Sequence, residues 1–248
     1  MPPPAAFFCT TFYPAKPPYA HFVGVRWLSL FVGYAQNGLQ VGNTIATPQF
    51  LNIGESENMP LQSIIPQGDD LSDNVYLQTL DAYGRTVNSY NWIDWAGPDG
   101  DQEAWADDEG NIIEGVSFAP GQGLCITGSS AEQGIQTAGK VGVNDVVISL
   151  TVGNVIVGNP FPVSIGLQEI LPQGDDLSDN VYLQTLDVYG RTVNSYNWID
   201  WAGPDGDQEA WADDEGNIIE GVTFAAGQGL CISGSSTEQA IRFPAPEL

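Results

Sequence analysis

The 248-residue chain is 42% hydrophobic and holds seven Trp, nine Tyr and ten Phe, which excludes general disorder and suffices for two packed modules of about 100 residues each. Its 31 acids face six bases, giving a formal net charge of -25 and a pI near 4.1. Phosphate backbones and anionic bilayers repel such a chain, so nucleic acid is excluded as a partner, while divalent cations, cationic surfaces and neutral glycans remain open.

Residues 1–36 contain no Asp or Glu, but carry Lys16, Arg26, the only His (His21) and six of the seventeen Pro. After Arg26, the stretch WLSLFVGYA (Trp27 to Ala35) is short, apolar and ends in small residues, as a secretory signal does before cleavage, here after Ala35. It is too short for a spanning helix. The Pro-rich segment ahead of it is long for a signal, so a disordered or mis-started leader is the competing reading. The expectation is a leader over 1–36, an extracellular or cell-surface location, and no stable membrane span in the mature chain.

Beyond the leader the chain repeats itself. LQVGNTIATPQF (Leu39 to Phe50) aligns with LTVGNVIVGNPF (Leu150 to Phe161) at an offset of 111. Pro66 to Gln133 then recurs as Pro172 to Gln239 at an offset of 106, with five differences over 68 positions: Ala82/Val188, Ser117/Thr223, Pro120/Ala226, Thr127/Ser233 and Ala131/Thr237. The change of offset places an insertion in LNIGESENMP, and insertions of this kind fall in surface loops. These boundaries give module 1 over 37–138, a linking strand over 139–149 and module 2 over 150–248. The linking strand has no counterpart after module 2, which predicts an unfilled sheet edge there.

Within each module the periodicity is that of strands. Val146, Ile148, Leu150 and Val152 alternate with Val147, Ser149 and Thr151, the two-residue period of a half-buried strand. NVYLQTLDAYGRTVNSYNWIDW reads as two strands joined at Asp81 to Arg85, with Gly84 suited to the positive φ of a bulged turn. AWADDEGNIIEGVSF repeats the device around DDEGN, FAPGQGLCITG enters a strand through a Pro/Gly loop, and PLQSI and GLQEI each allow one helical turn. The expected fold is all-β: two tandem antiparallel β-sandwich or partly open β-barrel modules. Cys125 and Cys231 are one repeat position seen twice, opposite in strand parity to Leu124 and Ile126. A packed thiol is the plain expectation, with pairing between molecules as the alternative.

VGNPFPVSIGLQEI, followed some 60 residues later by FAAGQGLCISG, resembles the G-N-P-[FY]-P and A-P-G-Q-G modules of uncharacterised bacterial secreted and surface-associated β-proteins. LQTLDAYGRTVNSYNW and GQGLCITGSS resemble repeats in exported bacterial proteins as well. The resemblance implies export and a β fold, and it carries no catalytic residue across. Copy one departs from it, with ATPQF where copy two has GNPFP.

Two constellations offer chemistry. In DWAGPDGDQEAWADDEGN, the candidate Ca²⁺ ligands are Asp99, Asp101, Glu103, Asp107 and Asp108, repeated as Asp205, Asp207, Glu209, Asp213 and Asp214. An EF-hand starting at Asp99 would need Gly and Glu where Ala104 and Gly110 stand, so that motif fails, and solvated turn acids are the alternative. GDDLSDN (Gly68 to Asn74), with Asp69, Asp70 and Asp73, is a second acidic segment, open to calcium, to solvated turn acids or to capping a helical turn. Trp92, Trp95 and Trp105, with Trp198, Trp201 and Trp211, flank the acidic loop as candidate carbohydrate ligands, against the commoner fate of core packing.

Catalysis has little to draw on. The single His lies in the leader, so the modules hold no Ser-His or Cys-His machinery, and a carboxylate pair such as Asp94 with Glu103 is the remaining option, for glycoside hydrolysis. The expectation is a non-enzymatic exported repeat protein in a structural, assembly or adhesive role, requiring no cofactor and partnered by itself or by other surface repeats. A calcium- or carbohydrate-binding module is the alternative.

Overall fold

The computed structural model describes residues 32–38, 42–46, 58–81, 83–97, 100–187, 190–203 and 206–246. Module 1 contains β1 (Val32–Gly38), β2 (Gly42–Ala46), β3 (Met59–Pro60), β4 (Ile65–Gln67), β5 (Tyr76–Leu80), β6 (Thr86–Gly97), β7 (Gly100–Ala106), β8 (Ser117–Phe118), β9 (Leu124–Gly128) and β10 (Gly134–Lys140). Module 2 repeats the series with β11 (Val146–Ser149), β12 (Gly153–Gly158), β13 (Ile165–Gly166), β14 (Leu171–Gln173), β15 (Tyr182–Leu186), β16 (Thr192–Gly203), β17 (Gly206–Ala212), β18 (Thr223–Phe224), β19 (Gly229–Gly234) and β20 (Ala240–Phe243). PLQSI and GLQEI each contribute one 3-10 turn, Leu61–Ser63 and Leu167–Glu169. Among the described residues, no helix is long and apolar enough to cross a membrane.

Among the described residues the named strands all pair antiparallel, and one isolated parallel bridge joins Val152 to Gly234. Each module builds a five-stranded sheet, β2-β9-β5-β6-β7 or β12-β19-β15-β16-β17. Each adds a three-stranded sheet, β1-β10-β4 or β11-β20-β14, and a two-stranded one, β3-β8 or β13-β18. The fold is all-β and sandwich-like, and none of these sheets closes into a barrel.

Strand pairing corrects the expected boundaries. β11, expected to link the modules, pairs with β20 through Ile148↔Ile241 and lies inside module 2. Its counterpart is β1, where Asn37↔Ile135 occupies the equivalent register at the offset of 111. The repeat therefore reaches upstream to Val32, through VGYAQNG, which sequence comparison with VNDVVIS would not pair. The expected leader boundary at residue 36 falls within β1, and a cut after Ala35 would remove part of that strand. Module 2 is not short of a neighbour either, because β20 is flanked by β11 and β14.

Strand alternation explains the core. Val75 and Leu77, Tyr90 and Trp92, and Leu124 and Ile126 turn one face of the sheet onto Met59, Leu61, Ile64, Phe118 and Ile135. Trp105 is fully buried, meets Trp92 edge-to-face at 5.4 Å between ring centroids, and donates its indole N–H to the Ile64 carbonyl at 2.7 Å. Trp198 and Trp211 repeat the geometry at 5.3 Å, with the bond to Ile170.

The opposite face of the five-stranded sheet is covered too, by the other module. The Gly123 N–H donates to the Ile156 carbonyl at 3.0 Å and the Gly158 N–H to the Gly121 carbonyl at 3.1 Å, closing an antiparallel bridge between Gln122 and Val157. A Cβ on Gly123 would lie 2.8 Å from the Ile156 carbonyl carbon, so the APGQG loop docks on β12 only with glycine there. Reciprocally, β2 packs beside β19. Cys125 and Cys231, on the side away from the core, both line the space between the modules and are 4% exposed.

Candidate functional site

The acidic segment resolves into a hairpin and a turn. β6 and β7 run in register as Asp94↔Glu103, Trp95↔Gln102 and Ala96↔Asp101, and module 2 repeats this as Asp200↔Glu209, Trp201↔Gln208 and Ala202↔Asp207. Asp94 and Glu103 thus stand directly across the ladder, both exposed, where like charges repel at a Cβ separation of about 5 Å. Neither lines the two cavities of about 340 and 380 Å³ found between the modules among the described residues.

Asp107 closes the turn that follows. Its Oδ1 accepts the Glu109 and Asn111 backbone N–H groups at 3.0 and 2.8 Å, and the Asn111 side-chain amide donates to both carboxylate oxygens. Gly110 takes φ 84°. The Asn111 amide, then its backbone N–H, hold the Asp107 carboxyl below the ordinary carboxylate range, and Asn217 does the same for Asp213. Asp81 uses the same device with Tyr83, Arg85 and Gly84 (φ 74°), as the bulged-turn reading anticipated.

These bonds engage only one of the five proposed calcium ligands in each module. Asp107 and Asp213 are committed to their own turns. Asp108 and Asp214 point into solvent, and Glu103 and Glu209 stand on the exposed hairpin. Of Asp101 and Asp207 only the backbone is described, while Asp99 and Asp205 lie outside the described residues. Among the described residues, no three His, Cys, Asp or Glu side chains are gathered to hold a metal ion.

The tryptophans require a correction. Trp92, Trp105, Trp198 and Trp211 are core residues at 3% exposure or less, so they present no ring face to a sugar. Strand parity sends each of them inward, and Trp105 and Trp211 are further fixed by their indole hydrogen bonds. The side chains of Trp95 and Trp201 are outside the described residues.

Amide side chains, unremarked in the sequence, do much of the positioning. Gln62 pairs with the edge of β7 as a strand would: its Oε1 accepts the Trp105 backbone N–H at 3.0 Å, and its Nε2 donates to the Trp105 and Ile113 carbonyls. Gln168 repeats this at β17. Gln133, 2% exposed, accepts the Ser129 and Ser130 N–H groups and donates to the Asp69 and Asp70 carbonyls. It thereby holds GDDLSDN in a loop in which Asp70 and Asp73 take φ 55° and 57°. That segment pins a left-handed loop and does not cap a helix. The signal for these glutamines was their place two residues into PLQSI and GLQEI, and beside the Ser-Ser turn.

The chain matches no protein-family profile, no curated protein sequence and no solved structure.

Proposed function

We propose that the chain is a non-catalytic, exported tandem β-repeat protein that assembles through strand addition, in a structural or adhesive role at the cell surface or in an extracellular matrix. One observation carries this reading: the sheet edges are treated unequally. β7 and β17 are capped by Gln62 and Gln168, β4 and β14 carry Pro66 and Pro172, and β12 is bridged by Gln122. Proline and capping are how edges are kept from pairing with other chains. β1 and β11 form the opposite edges of the sheets that end in β4 and β14, and neither contains a proline. Beside β11, Val143 and Val147 are 56% and 53% exposed and line a cavity of about 380 Å³ with Pro120, Pro160 and Phe161. An edge next to a groove of mixed lining, with Lys140, Asn144 and Asp145 beside the apolar residues, suits an incoming strand, whose backbone pairs and whose alternate side chains dock. The net charge of -25 and the likeness to exported modules support the location.

Light scattering across protein concentrations tests this. The full chain is expected to exceed monomer mass, and Gln36→Lys with Val147→Lys, one in each open edge, is expected to return it to monomer. A parent that stays monomeric at every concentration would sink the reading.

A further inference from the structure

The second cavity, about 340 Å³, lies between the two modules where their equivalent faces meet. Gln78 and Gln184, Thr86 and Thr192, and Cys125 and Cys231 enter it in matched pairs, one from each module. Among the described residues no Asp, Glu, Lys or Arg lines it, in a chain that carries 31 acids. Each Thr hydroxyl donates to the Oε1 of its own module's glutamine at 3.3 Å. That leaves the amide N–H groups of Gln78 and Gln184 with no protein partner among the described residues, and Asn154 adds a third amide. Leu80, Leu186 and Ile156 supply apolar wall between these groups.

We infer that this cavity is a binding site for a neutral saccharide of one or two sugar units. The size is that of a small-molecule pocket, at the low end of about 300–1,000 Å³. An anion would meet the field of a strongly acidic protein with no cation to receive it. A cation would find no carboxylate. A wholly apolar ligand would strand the glutamine amides without partners. Vicinal hydroxyls both donate and accept, so they satisfy paired amides and hydroxyls, while the C–H face of a sugar covers the leucines. The site is distinct from the buried tryptophans, and the edge-strand assembly does not depend on it.

The test uses the full chain with maltose, cellobiose, lactose and N,N′-diacetylchitobiose as neutral probes, and digalacturonate as a charged one, by calorimetry and saturation-transfer NMR. At least one neutral disaccharide should bind saturably with a Kd below about 1 mM. Digalacturonate should bind at least about tenfold more weakly. Gln78→Leu with Gln184→Leu should weaken binding by at least about tenfold with the fold intact by circular dichroism. If that variant misfolds, Thr86→Val with Thr192→Val serves, and alkylation of Cys125 and Cys231 by iodoacetamide should slow in the parent when the sugar is present. Absence of binding by all four neutral probes, equal binding of digalacturonate, or unchanged affinity in a folded variant would each overturn the inference. A negative result would leave assembly untouched, because mass measures that separately.

Discussion

The two modules differ at five of 68 positions over their repeated segment, yet they close their upstream seam differently. In module 2, Asn159 is fully buried and donates to the Val163 and Ala225 carbonyls while accepting the Phe161 N–H. Module 1 has Pro48 at the equivalent position and so lacks that amide. Phe243 fills the core of module 2, where module 1 has Thr137, whose buried hydroxyl has no partner. Asp145 ties the last strand of module 2 down by accepting from Arg242 and from the Ala245 N–H, and the equivalent residues of module 1 are Tyr34 and Gln136. Near-identical walls thus come with seam residues that differ, and the expected outcome is a more stable module 2.

The largest change to this comparison should come from the core. Trp105→Ala and Trp211→Ala should each destabilise their own module by about 3–5 kcal/mol. In calorimetry the module 1 variant should fall further in Tm. Asn159→Ala should cost module 2 about 2–3 kcal/mol by stranding the Phe161 N–H and two carbonyls. Hydrogen exchange should show the loss confined to 146–246. Thr137→Val should act the other way, raising module 1 by about 1 kcal/mol and narrowing the gap, because a methyl replaces an unpaired buried hydroxyl. Gly123→Ala should split one melting transition into two, since its Cβ would collide with the Ile156 backbone that joins the modules.

The smallest effect concerns acid. Asp81, Asp107, Asp145 and Asp213 have folded pKa values depressed by hydrogen bonds. Their contribution is present above the ordinary Asp pKa of about 3.9 and is lost as pH falls through the lower folded values. Lowering pH from 7 first relieves repulsion among the 31 acids, so Tm should rise to a maximum near about pH 4–5 and then decline. Asp107→Asn and Asp213→Asn should flatten that acid limb. Thiol chemistry follows the same burial: the Cys125 thiol is pushed up and that of Cys231 to about 11, so both should alkylate slowly at pH 8.

Much of the fold was legible because its signals are local. Gly84 and Gly110 mark their bulged turns, and Leu124, Cys125 and Ile126 alternate as their spacing requires. β1 was not legible, since VGYAQNG earns its place by pairing with β10 and not by its own pattern. The candidate site was read less well. A Trp beside acids in sequence does not say where the packed core ends: Trp92 and Asp94 share one strand face, as do Trp105 and Glu103, yet the tryptophans are buried in the core and the acids, one step further along the hairpin, are exposed. The roles of Gln62, Gln133 and the amides at the module junction depend on residues 40 to 100 positions away, which a pass along the chain does not bring together.

Asp107 and Asp213 spend their carboxylates on their own turns, and Trp92, Trp105, Trp198 and Trp211 pack the cores; we therefore expect no calcium-specific stabilisation from them. The direct measurement is thermal unfolding of the full chain with 1 mM Ca²⁺ against 1 mM Mg²⁺ at matched ionic strength, since either ion screens a charge of -25. Equal Tm values, within about 1 °C, are the predicted result. A rise of several degrees specific to calcium would contradict it, because only an ion bound to the native state stabilises selectively.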